Sequence, residues 1–378
     1  MSDGLLIYGA TGFTGGLIAE EAVRVGLKPV LAGRAAGKLA PLAKNLGLDW
    51  LAFDLSDRVA LRRAVAGARV VLHAAGPYSR TGEPVVDACL AEGAHYVDIC
   101  GEIAVLKAVS MRDDEARSRG VMLLAGAGFD VVPTDCLVAH LKTRLPTANA
   151  VRLYIGGMAV LSRGSTRTLA ESIGQGTIVR RNGSLVELES APRGFCDFGN
   201  GPSPVIGVSL GDVVTAWRSA QIPNINIFFE SSPAFEQMLA TPRFIRRLLS
   251  TKAGQWYLNR QIDKAPIGPS AQQRSTLKTT VVGEAMDAAG NNVRSRIVTP
   301  EGYSLTATTS IEIVRRVLEG RFSAGYQTPA TMYGADFITN ISGVVREDLT
   351  EAAMPNPIQN KAGAGEMLTA DVPRSASH

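Results

Sequence analysis

Cysteine and histidine are scarce in this chain, no long apolar run interrupts it, and no block of like charge stands out. Each shortage removes a class of function. The 378 residues hold four cysteines, Cys89, Cys100, Cys136 and Cys196, isolated from one another, with no C-x-x-C pair and no histidine at ligand spacing. They read as reduced thiols of a cytoplasmic protein, and no metal site is expected. Of the histidines, His95 and His140 lie in segments with the pattern of core strand and helix, where a histidine is more often a satisfied structural residue than a catalyst. The apolar run Val121 to Ala127 is broken by glycine and falls far short of the roughly 20 residues that a membrane-spanning helix needs. No transmembrane segment is expected, and the first residues lack the basic stretch, apolar core and cleavage site of a secretory signal. The net charge of +4 is spread along the chain, so neither nucleic acid nor an anionic membrane is suggested as a partner.

What is present is enough apolar residue for a sizeable core: 46% of the chain is hydrophobic and 20% charged, which at this length suits two domains. Short apolar runs begin near Leu5, Pro29, Trp50, Arg69, His95 and Val121, with helix-like segments such as Thr14 to Val25, Asp57 to Ala66, Gly82 to Ala91 and Glu102 to Arg119 between them. Strands alternating with helices predict βαβ crossovers and an α/β fold, a Rossmann-type doubly wound parallel sheet over residues 1–135. Beyond that point the alternation stops. Val151 to Ile155, Gly183 to Leu188, Ser275 to Glu284 and Val293 to Val298 read as strands joined by turns at Asn182-Gly183 and Gly290-Asn291, predicting an α+β substrate and dimerisation domain over 136–324 with a mixed or antiparallel sheet. Ser310 to Glu319 reads as a helix, and 325–346 is expected to be a C-terminal helix returning to the first domain. Residues 354–378, rich in Pro, Gly, Ala and Ser, are expected to be a disordered tail.

The stretch Gly9-Ala-Thr-Gly-Phe-Thr-Gly15 follows the first strand and opens the first helix. In that context three glycines predict a phosphate cradle: Gly9 for the tight turn, Gly12 for close backbone approach, Gly15 for helix packing against the sheet. The amides from Thr11 through Phe13 to Thr14 would face a pyrophosphate at the positive helix end. The second strand ends in Leu31-Ala-Gly-Arg34, where the acidic residue that receives an NAD ribose is missing. Arg34, with Lys38 one turn later, is suited to a 2′-phosphate, so NADP(H) is the preferred cofactor and NAD(H) the alternative. Asp54, closing the third strand, is placed either to meet the adenine edge or to cap a helix. After the fourth strand come Ala75, Gly76, Pro77 and Tyr78, small residues that would let a nicotinamide pass close to the main chain, with Tyr78 as a candidate proton donor or ring-packing partner.

With these motifs the chain resembles the saccharopine dehydrogenase-like oxidoreductases, the group that includes the trans-acting enoyl reductases. The resemblance rests on GATGFTG, on AAGPY followed by GEPVVDACLAEGAHYVDICGE (82–102), and on GAGFDVVPTD (126–135). It extends through SRGSTRT (162–168), LGDVVTAWRSAQIPNI (210–225) and GYQTPATMYGADF (325–337). It implies a cofactor-binding first domain, a second domain covering the nicotinamide, and a homodimer. Asp98, Gly101 and Glu102 match one family element, and Phe129, Asp130 and Pro133 another. Their acids are candidate catalysts, with loop bracing or helix capping as the alternative role. No lysine and histidine pair is placed as saccharopine itself would require. No tyrosine is followed four places on by lysine, so the acid–base device of short-chain dehydrogenases is absent.

These residues predict an NADPH-dependent oxidoreductase acting on a small-molecule substrate, with hydride transfer to a C=C (enoyl) bond of a lipid or polyketide-like molecule as the first reading. Arg163 and Arg167 are candidates to polarise its carbonyl or hold an anionic group. Reduction of an imine or carbonyl on an amino-acid-like substrate is the second, with Arg163, Arg167, Arg180 and Arg181 as a possible carboxylate clamp. A non-catalytic NADP(H) sensor or scaffold is the third.

Overall fold

The computed structural model describes residues 3–157, 160–171, 176–231 and 243–350. The expected tail at 354–378 lies outside the described residues.

The first sheet has seven parallel strands in the order β15-β6-β5-β4-β1-β2-β3. These are β1 (Leu5–Tyr8), β2 (Val30–Gly33), β3 (Trp50–Ala52), β4 (Val70–His73), β5 (His95–Asp98), β6 (Met122–Leu124) and β15 (Gly325–Gln327). Every residue of the central β1 and β4 is buried, as a parallel strand covered on both faces requires, whereas the edge strand β3 is exposed. The crossovers carry α1 (Phe13–Arg24), α2 (Ala36–Leu46), α3 (Arg58–Ala66), α4 (Tyr78–Glu92), α5 (Ile103–Ser110) and α6 (Asp113–Ser118).

The second sheet is mixed. It runs β10 (Arg193–Asp197), β11 (Pro202–Gly207), β12 (Asn224–Glu230), β7 (Ala150–Gly156), β13 (Lys278–Met286), β14 (Asn292–Pro300) and β16 (Val345–Leu349), with the hairpin β8 (Thr177–Arg181) and β9 (Ser184–Leu188) joined to β12. The hairpin turns at Asn182-Gly183, where φ is 47° and 80°, the left-handed pair that a two-residue turn needs. Its helices are α7 (Val132–Arg144), α8 (Arg163–Glu171), α9 (Asp212–Ala220), α10 (Arg243–Leu249), α11 (Lys252–Ile262) and α12 (Ala271–Thr276).

Helix α7 joins the two halves. It leaves the carboxyl end of β6 and lies across β13 so closely that a Cβ on Gly283 would come within 2.6 Å of Leu141 and 2.9 Å of Leu137. Buried residues occur all around its first two turns, the pattern of a helix with protein on every side.

The chain then returns. Helix α13 (Gly302–Leu318) starts two turns earlier than the sequence pattern suggests and packs beside α1. Its threonines hide the signal: Thr306 accepts a hydrogen bond from the Phe129 amide at 2.9 Å and Thr309 donates to the Ala127 carbonyl at 2.7 Å, so polar residues occupy its buried face. The 325–346 segment, read as one helix, begins instead with strand β15 on the open edge of β6, followed by the five-residue α14 (Pro329–Tyr333), a 3-10 turn at Ile338–Asn340, and β16 in the second sheet. Gly334, at φ 81°, ends the short helix.

Leu305 is fully buried in α13. Leu305→Ala is expected to cost about 2–5 kcal/mol, read as a lower denaturant midpoint at unchanged slope.

Candidate functional site

The carboxyl end of the first sheet is where the motifs converge. Gly9 has φ 97°, and a Cβ there would lie 2.7 Å from the backbone of Ala74 and Ala75, so the loops after β1 and β4 touch main chain to main chain. A Cβ on Gly15 would overlap the Gly9 carbonyl oxygen. Helix α1 therefore starts directly above the sheet. Gly12 at its N-cap offers no side-chain acceptor, and no acidic residue occupies the first turn. Its leading amides keep their partial positive charge with no carboxylate to neutralise it. The cradle and the absence of an internal anion both fit a dinucleotide pyrophosphate.

Arg34 follows β2 with its side chain 78% exposed, and its Nε lies 4.0 Å from Asp54 Oδ2. Lys38 is also exposed. Asp54 does not cap α3, since Asp57 does so by accepting the Ala60 amide. It accepts the Ser56 amide instead, which, with Arg34, lowers its pKa and keeps it ionised. The cation for a 2′-phosphate is thus in the open, restrained by one exposed carboxylate.

The acids predicted at the sheet end divide into braces and one open group. Glu102 accepts from the Tyr78 and Ser79 amides at 2.9 and 3.0 Å and caps α4 from outside that helix. Asp98 is buried and accepts from Tyr96 Oη at 2.7 Å, the Cys100 amide at 3.0 Å and the Gly126 amide at 2.8 Å. Burial raises its carboxyl to about 6, against the pull of these donors. Because the Tyr96 proton goes to Asp98, the 3.3 Å contact between Tyr96 and His73 Nδ1 makes Nδ1 the donor. Burial pushes His73 down to about 3, so the ring is neutral. Tyr78 is also buried, and its hydroxyl donates to the His73 carbonyl at 3.2 Å. Its proton is committed to the sheet end, and burial among Asp98, Cys100, Glu102 and Asp130 raises its pKa well above the usual range.

Asp130 is different. It is open to solvent by surface area yet closely walled by protein, with its carboxyl so near Gly101 that a Cβ there would stand 2.9 Å from Asp130 Oδ2. That desolvation raises it to about 6. Below it lies Asp212, which the sequence offers only as part of LGDVVTAW. Asp212 accepts from Thr134 Oγ1, its Oδ2 has no partner among the described residues, and burial followed by the nearby Asp135 and Asp130 charges raises it to about 8. It is therefore protonated at neutral pH.

The second half reaches the glycine loop at Phe13. Tyr303, in the first turn of α13, sets its ring edge-on against Phe13 at 5.2 Å, and its hydroxyl receives the Ser162 amide at 2.6 Å and meets Ser165 Oγ at 2.8 Å. The Arg274 guanidinium lies over the Phe13 ring, 5.6 Å from its centroid, and a Cβ on Gly268 would come within 2.7 Å of that ring. Tyr303 escaped sequence reading because no motif marks it. Its only signal was the serine-rich stretch at 162–168 that it contacts.

Arg163 and Arg167 are held by one neighbouring segment. Arg163 donates to the Ala265 carbonyl at 2.7 Å, and Arg167 forms an ion pair with Asp263. Arg180 donates to the Val213 and Gly183 carbonyls, and Arg181 to Asn226.

Residues 5–124 match the family of saccharopine dehydrogenase NADP binding domains. The trans-acting enoyl reductase of Mycobacterium tuberculosis is 35% identical over 148 residues, 37% of this chain and 35% of that protein. The human saccharopine dehydrogenase-like oxidoreductase is 31% identical over 172 residues, 40% of each chain. The matched region thus spans well under half the length of these relatives. Among solved structures, apo saccharopine dehydrogenase (L-Glu forming) from Saccharomyces cerevisiae superposes with a TM-score of 0.60 at 13% identity, covering 92% of this chain and 99% of that one. The resemblance read from GATGFTG and its companion motifs is borne out: the first domain carries the NADP-binding family signature, and the two-sheet fold extends over nearly the whole chain.

Arg34→Ala is expected to erase a preference for NADPH over NADH of at least about tenfold, or about 1.4 kcal/mol. Parallel calorimetric titrations with both dinucleotides measure it, and equal preference in wild type and variant would refute the assignment.

Proposed function

We propose that the protein is an NADPH-dependent reductase of a C=C bond conjugated to a carbonyl in a lipid or polyketide-like substrate. The observation that carries this reading is the uncapped start of α1, held over the sheet by Gly9 and Gly15, beside an exposed Arg34 where an NAD protein has its acid. The likeness to enoyl reductases over the first domain supports the choice of bond. The resemblance also supports a homodimer, and the isolated cysteines a cytoplasmic location.

NADPH, when bound, supplies the hydride. The α1 amides would hold the pyrophosphate and Arg34 with Lys38 the 2′-phosphate. Phe13, packed against Tyr303 and Arg274, ties that loop to the second domain, which would exclude water. As hydride reaches the β carbon, the α carbon needs a proton. Asp130 is the acid suited to give it: it is an exposed residue at the sheet end whose carboxyl is raised to about 6, and once ionised it would recover a proton from solvent. Tyr78, with its hydroxyl bound to the His73 carbonyl, is the weaker donor. The arginines of a carboxylate clamp are already engaged with protein partners, which favours the enoyl reading over an amino-acid-like substrate.

With an enoyl thioester and NADPH, the rate is expected to fall as pH rises through about 6, because Asp130 must be protonated to act. Asp130→Asn should lower kcat by roughly 10²–10⁴-fold and remove that pH break while cofactor affinity persists. Tyr78→Phe should keep the break. A break surviving in Asp130→Asn assigns the proton elsewhere, and no turnover of any acceptor by a protein that binds NADPH favours the sensor reading.

A further inference from the structure

We propose that the face formed by α10, α11 and the loop at Ile267 docks on the surface of an anionic phospholipid membrane. Helix α11 turns its two large aromatic rings outward. At 100° per residue, Lys252, Trp256, Arg260, Ala253, Tyr257 and Gln261 fall in one contiguous half of the helix, and this half is the exposed one. Trp256 is 63% exposed and Tyr257 53%. The protein-facing half carries Leu258 and Ile262 with two amides: Gln255 donates to the carbonyls of Ala170 and Leu249 at 2.9 and 3.1 Å, and Asn259 donates to the Gln255 carbonyl. An ordinary surface helix keeps such rings on its protein-facing side.

Two further apolar side chains extend the face, Leu248 at the end of α10 and Ile267 beyond α11, 65% and 59% exposed. Scattered exposed apolar residues are normal, but four large ones within 20 positions are a concentration of the kind that marks an interaction site. The charge decides its partner. From 247 to 264 the exposed cations are Arg247, Lys252, Arg260 and Lys264 against Asp263 alone, and the Asp263 carboxylate is paired with Arg167. Tryptophan, tyrosine and leucine among unopposed cations suit the headgroup boundary of an anionic bilayer: the rings enter the interface and the long cationic side chains reach phosphate. A second copy of the same face would instead set these cations against their own copies, and protein interfaces deplete charge from their cores.

The face adjoins the glycine loop. The Ile267 carbonyl accepts the Arg163 amide at 3.0 Å, and neighbouring Gly268 abuts Phe13. Docking would turn the mouth of the cofactor domain toward the bilayer. That consequence rests on the reductase reading, whereas the docking itself does not.

Sedimentation of the full chain with phosphatidylglycerol–phosphatidylcholine vesicles, against pure phosphatidylcholine vesicles, tests the proposal. Binding is expected to be at least tenfold tighter to the anionic vesicles, with a blue shift in tryptophan emission that is absent in Trp256→Ser. The pair Trp256→Ser and Tyr257→Ser should weaken binding at least tenfold, as should Lys252→Glu with Arg260→Glu, while NADPH affinity, measured on the same samples, stays unchanged. Equal or absent binding to the two wild-type vesicle samples overturns the proposal even if a variant fails to fold. So does a concentration-dependent dimer, without vesicle binding, that the Trp256 and Tyr257 substitutions abolish. Loss of NADPH binding in wild type would count against the reductase reading and leave the vesicle result to stand by itself.

Discussion

A helix can present its leading amides to an anion only if nothing in the protein takes them first, and the first domain is arranged around that condition. The contact between Gly15 and the Gly9 carbonyl lowers α1 onto the end of β1, and the contact between Gly9 and the Ala74–Ala75 backbone fixes the loop from the other side. Neither contact tolerates a side chain. No capping residue and no acid follows at the start of α1, although a cap there would stabilise the helix by ~1 kcal/mol. The domain leaves that stabilisation to be supplied by a bound phosphate.

The same end of the sheet gathers acids, and their surroundings assign them different work. Asp98, Asp135 and Asp212 are buried, and desolvation raises all three carboxyls. Asp98 and Asp135 hold backbone amides and hydroxyls from several elements, Asp135 linking Ser219 of α9 to the Ala330 amide of α14. They join loops that would otherwise leave buried donors without partners. Asp130, an exposed residue at this end, holds no such amide or hydroxyl among the described residues.

The strand and helix alternation, the glycine loop and the basic residue after β2 were legible because each depends on residues close in sequence. The Asn182-Gly183 turn was legible for the same reason. What escaped depends on distant contacts. Thr306 and Thr309 make a polar stripe of the buried face of α13 because their partners, Phe129 and Ala127, lie some 180 positions away. Glu102 reads as a catalytic candidate until α4 is seen to begin against it. Tyr303 and Asp212 gain meaning only when the second half folds over the first. Lys252 and Arg260 formed no recognisable block because helical spacing, not adjacency, brings them to the exposed half of α11.

Strand β15 has a consequence for biosynthesis. Residues 325–327 complete the first sheet by pairing with β6, whose three residues are fully buried in the finished protein. During synthesis the ribosome must therefore add about 200 residues after β6 before that edge is covered. Until then the nascent first domain carries an open apolar strand, a template for pairing with other chains. The domain holding the cofactor loop comes first in the chain and reaches its final form late.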